Sequence, residues 1–101
     1  MVLMQKSSYV TEAEKFYTDI RVLNTAFEEA RTAIEEARES IGTTYYAEDY
    51  EDAEKVTKVA VDKYQQLLKE TNDEAKRDQI GRENEPRMKQ LEEEFKSLKA
   101  P

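Results

Sequence analysis

Between Ala13 and Ile41 the sequence repeats a spacing that few folds can use. Ala13, Ile20, Phe27, Ile34 and Ile41 fall seven apart, and Phe16, Leu23, Ala30 and Ala37 follow the first four by three residues. This 3-4 alternation returns apolar side chains to one stripe of an α-helix, the pattern of a helix–helix seam. Glu28, Glu29, Arg31, Glu35, Glu36 and Arg38 take the remaining faces. Thr11-Glu12-Ala13-Glu14 has the form of a capping box, in which the Thr hydroxyl and the Glu carboxylate each satisfy a backbone N–H of the first turn. Gly42 follows the last seam residue, where a left-handed residue closes a helix. The expected helix covers residues 11–41, about 45 Å at 1.5 Å per residue.

Thr43 and Thr44 open a short turn, and Thr44 or Asp49 is expected to cap a second helix. Its apolar face is Tyr46, Tyr50, Ala53, Val56, Thr57, Ala60, Val61, Tyr64, Leu67 and Leu68. At 100° per residue these positions span an arc of about 140°, wide enough to touch two neighbours. Val59 falls outside that arc and is expected to be exposed. The helix is placed at 46–70, with a polar continuation to 81 as the alternative to a break at Thr71-Asn72-Asp73-Glu74. Residues 72–84, with little apolar content, read as a solvated loop or frayed helix. Asn84-Glu85-Pro86 opens a last helix over 85–99, with Pro86 in the first turn, where its missing N–H costs nothing. Met88, Leu91, Phe95 and Leu98 form its stripe.

Two long helices joined by a short turn lie antiparallel, and the third stripe must return across both. The expected fold is therefore all-α: an antiparallel three-helix bundle built on a long helical hairpin, or four helices if the chain breaks near Thr71. Residues 1–10, with Val2, Leu3, Met4, Tyr9 and Val10 in no clear period, read as a mostly extended N-terminal arm ahead of a single domain over 11–99.

Composition narrows function by exclusion. Leu, Ile, Val and Phe together number only 19 of 101 residues, whereas charged residues make up 39%. So thin a core is expected to be marginal alone or completed by a partner or a second copy. With no His and no Cys, the usual general base, thiolate nucleophile and soft metal ligands are missing. A hard-metal site at Glu48, Asp49, Glu51 and Asp52 lacks the alternating ligands and glycine of a calcium loop. The two glycines stand 39 residues apart, so there is no phosphate loop. No cofactor, metal or catalysis is expected. A net charge of −7 disfavours nucleic acid and anionic membrane surfaces. Lys55, Lys58 and Lys63 do not alter this, because Glu51, Asp52, Glu54 and Asp62 interleave with them. The apolar run Val2-Leu3-Met4 is too short for a signal core or membrane span, so a cytoplasmic protein, or one processed after targeting, is expected.

What remains is contact with protein. Tyr45, Tyr46 and Tyr50 cluster at the first turn, beside the acids between Glu48 and Glu54. Either Tyr46 and Tyr50 pack inward and close the end of the bundle, or Tyr45 with one neighbour is an exposed aromatic anchor. Val59 and Val61 extend this candidate surface along the second helix. Val22, Ala26 and Ala33 form another, on the side of the first helix away from its seam, unless those alanines are only good helix formers. The expected role is a small structural or adaptor subunit docking on a larger assembly. The alternatives are a chaperone-like holder of a transient client, or self-association through the heptad seam around Phe27.

Overall fold

The structure, a computed structural model, describes residues 11–101. Three helices follow one another: α1 (Glu12–Glu39), α2 (Tyr46–Glu70) and α3 (Glu74–Lys96). The expected three-helix bundle is present, and the extended-arm reading of residues 1–10 lies outside the described residues. The α1–α2 pair makes the largest interface; α3 packs more on α2 than on α1.

α1 begins as its sequence predicts. The Thr11 Oγ1 accepts from the Glu14 N–H at 3.0 Å, and the Glu14 carboxylate accepts from the Thr11 N–H at 3.4 Å. The far end differs. The helix closes at Glu39 with Ser40 as its cap, and Gly42 turns the chain at φ +88°. Ile41 therefore leaves the seam and stands 54% exposed in the turn. Ala13 is exposed as well, so the working seam is shorter than the heptad.

α2 occupies the expected residues, but neither Thr44 nor Asp49 caps it. Tyr45 stands at the cap position with no side-chain bond, and the Thr43 Oγ1 accepts the Tyr45 N–H at 3.2 Å instead. Its wide apolar face meets two neighbours. Ala53, Thr57, Ala60, Tyr64 and Leu67 are buried along it. Against this face lie Leu23, Ala26, Phe27, Ala30, Ile34 and Ala37 of α1, and Ile80, Met88 and Leu91 of α3. Ala30, Ala37, Ala53 and Ala60 have no exposed surface, so the hairpin helices approach closely through alanine rather than through large side chains.

The third helix corrects the sequence reading most. Helix α2 does not continue past Glu70: the chain breaks at Thr71, whose hydroxyl donates to the Leu67 carbonyl at 2.7 Å. Asp73, rather than Thr71, then caps α3 by accepting from the Lys76 N–H at 3.1 Å. The Arg77 guanidinium donates to the Thr71 carbonyl from Nε at 3.1 Å and from Nη2 at 2.8 Å, fixing the connection. Residues 74–84 are helix, and Pro86 lies in the interior of α3 rather than its first turn. The buried row runs Ile80, Asn84, Met88, Leu91. Asn84 satisfies its amide internally, donating to the Ile80 carbonyl at 2.9 Å. The Arg87 Nη1 donates to Asn84 Oδ1 at 3.0 Å and to Asn24 Oδ1 of α1 at 3.1 Å. The Arg87 guanidinium also lies 4.2 Å over the Phe27 ring.

Two buried hydroxyls bear on stability. Among the described residues Thr57 Oγ1 has no hydrogen-bond partner, although Thr57 is only 6% exposed. Thr57→Val keeps the branched shape and removes an unpaired polar group. It is expected to raise the unfolding free energy by about 1 kcal/mol. Urea unfolding of the two proteins reads this out; a fall in stability would mean that the hydroxyl is bonded in solution.

Tyr64 is buried, and its hydroxyl donates to the Glu85 carboxylate at 2.6 Å. Burial, with that hydrogen bond and the Glu85 charge, pushes the phenol up from 10.0 to about 12. The folded value lies above the unfolded one, so this contribution is complete below pH 10 and is lost as pH rises towards about 12. Stability measured across that interval should fall more steeply in the natural chain than in Tyr64→Phe. Equal slopes would show that Tyr64 does not couple folding to pH.

Candidate functional site

Among the described residues, helix α3 covers one side of the α1–α2 hairpin and nothing covers the other. It reaches α1 through Asn24 and Arg38, which bond to Arg87 and Ser97. It reaches α2 through Tyr50, whose ring lies 5.1 Å from that of Phe95, and through Tyr64 at Glu85. Across the opposite side of the seam runs the Lys15–Glu70 ion pair, at 3.8 Å. These two residues identify the rows that border the open side.

At 100° per residue, Val22, Ala26 and Ala33 fall within about 20° of Lys15 on α1. On α2, Lys63, Val59, Asp52 and Tyr45 fall within about 20° of Glu70, and Val56 lies about 40° further in. Two residues grouped by sequence on separate surfaces thus share a face: Val22 is 44% exposed and Val59 47%. Tyr45, 69% exposed, extends the face to the turn, which also carries Ile41, 54% exposed. From Tyr45 to Lys63 the face is about 27 Å long.

Other candidates are placed differently. Ala26 is 6% exposed; it forms part of the floor against α2 instead of an outer surface. Ala33 is half-buried at the rim. Tyr46 is buried, and its hydroxyl donates to the Lys99 carbonyl, so it closes the bundle end and cannot be an anchor. Tyr50 is half-buried between Tyr46 and Phe95. Val61 is half-buried and packs against the core. Phe27 is likewise buried, so its seam is intramolecular. Ile41 and Val56 were not expected at an interaction face. Ile41 continues the heptad in sequence, and Val56 counts as core by spacing alone.

The face carries an uneven charge. Glu29 and Glu36 border the α1 row, while Glu48, Asp49 and Asp52 lie in or beside the α2 row. Against these five carboxylates stand Lys55 and Lys63, and Lys55 is drawn to Glu51 at 4.0 Å. Among the described residues none of the five is held in an ion pair. Around the solvent side of α1 a shallow groove of about 550 Å³ runs from Asn24, on the side that α3 covers, over Thr25, Glu28 and Thr32 to Ala33 and Glu36. Among the described residues no helix is long and apolar enough to cross a membrane.

Residues 17–100 match the model of the embryogenesis-like protein helical domain, which includes nearly all of α1 and the whole of α2 and α3. The chain belongs to that family. No curated protein and no solved structure matches it. In this embryogenesis-like helical domain the matched region holds every residue of the open face from Val22 to Lys63.

Proposed function

We propose that this domain is a non-enzymatic protein–protein interaction module, a small helical adaptor subunit that docks on a larger assembly through the open side of its α1–α2 hairpin. The observation that carries this reading is the alignment of Val22, Val59 and Tyr45 on the one side of the hairpin that α3 does not cover. Single exposed apolar residues are ordinary on protein surfaces; a row of them over an alanine floor is what a partner helix needs to approach closely. The absence of His and Cys from the sequence supports a role in binding rather than catalysis.

The test is site-specific photocrosslinking in the source cell. A benzophenone side chain at position 59 is expected to yield a discrete protein adduct, and the same group at Gln90, exposed on α3, none. Adducts at 90 and not at 59 would move the interaction to α3. Absence of adducts at both positions would count against an interaction module.

A further inference from the structure

We infer that the open face of the hairpin receives a basic amphipathic helix, one with a stripe of apolar residues bordered by Lys or Arg. The inference rests on the docking role proposed above and names the chemistry of the partner. The floor is built from Ala26, with Ala33 at its rim and Val22, Val56 and Val59 as ridges, so a helix backbone can lie close along it. A length of about 27 Å matches a helix of about 18 residues. Its apolar stripe would complete a fourth layer on the hairpin, in the helix-in-groove mode of recognition.

Charge selects among possible occupants. The five carboxylates, less the two lysines, leave the face with a surplus of three negative charges. They border the apolar row on both sides: Glu29 and Glu36 on α1, Glu48 and Asp52 on α2. A second copy of the chain would bring the same acidic borders against these, within a whole-chain charge of −7 on each partner. Like charges placed opposite each other suppress such a pairing, whereas a helix edged with cations meets a carboxylate on either side. Lys55 does not offset the surplus fully, because it already faces Glu51 at 4.0 Å.

The experiment is isothermal titration of the whole chain with two synthetic helices of about 18 residues. One carries Leu and Ala on a single face with Lys on both borders; its twin carries Glu at every Lys. The Lys-bordered helix is expected to bind at least about tenfold more tightly than the Glu-bordered one, and to weaken about tenfold between low and high salt. Val59→Lys is expected to weaken it a further tenfold or more. Gln90→Lys, the same charge change on α3, should alter it less than about twofold.

Equal loss in both variants would show attraction to net charge alone and overturn the inference. Tighter binding of the Glu-bordered helix, reduced by Val59→Lys, would overturn the charge assignment and leave the docking face standing. Binding of neither helix would overturn the inference without deciding whether some other protein docks there, which the crosslinking reads. A heat of dilution from the chain alone, abolished by Val59→Lys, would give the face to a second copy. Tightening of the peptide by Leu3→Asp would give it to residues 1–10. Either result overturns the inference.

Discussion

Replacing Tyr64 with Ala is expected to remove about 3–5 kcal/mol of stability, enough to unfold much of the population at room temperature. Tyr64 is 1% exposed and stands where α2 meets α3, with its hydroxyl on Glu85 and close to Gly81. Truncation opens a cavity at that junction and removes the bond that ties α2 to Glu85 of α3. The core offers little to compensate, since its closest helix contacts are made by alanines. Tyr64→Phe keeps the ring and loses only the bond to Glu85, so its cost should be about 1 kcal/mol. Urea unfolding separates the two. A cost under about 1 kcal/mol for Tyr64→Ala would show that α3 is not anchored through this ring.

Pro86→Ala should act in the opposite direction. Pro86 is exposed and lies in the interior of α3, so it lacks the N–H that would bond to the carbonyl one turn earlier. A proline in a helix interior is about 3 kcal/mol less favourable than Ala. Part of this is returned because proline also restricts the unfolded chain, by about 0.4–1 kcal/mol. The net expectation is a gain of about 2 kcal/mol, seen as a higher urea midpoint with an unchanged slope. A loss of stability would instead favour a helix that begins at Glu85, with Pro86 serving its first turn.

That alternative is what the sequence itself suggests, and the reason is physical. An apolar period marks α1 and α2 because, Thr57 apart, the residues they bury are Ala, Leu, Ile, Phe and Tyr. The first half of α3 buries Ile80 and then Asn84, an amide satisfied by the Ile80 carbonyl and by Arg87. A polar residue at a core position breaks the apolar pattern, and spacing then reads residues 72–84 as a solvated loop or frayed helix. The bond from Arg87 to Asn24 closes only once α3 lies against α1, so no local rule announces it.

The candidate face was legible in pieces. Val59 stands outside the arc of α2 by angle alone, and Val22 outside the seam of α1. Sequence could not place them together, because that depends on which side of the hairpin α3 chooses. Ala26 shows the converse error: a strict 3-4 seam leaves it outside, but alanine packing draws the helices close enough to bury it. The turn misled through Ile41, which continues the heptad until Ser40 ends the helix.

The central claim is that three helices close the core by themselves and leave the hairpin's open face to a different molecule. Sedimentation equilibrium, with thermal unfolding followed by circular dichroism at several protein concentrations, tests it most directly. The account predicts a monomer whose cooperative transition does not move with concentration. A dimer or larger species whose melting temperature rises with concentration would contradict it, since the exposed row would then be covered by the chain's own copy.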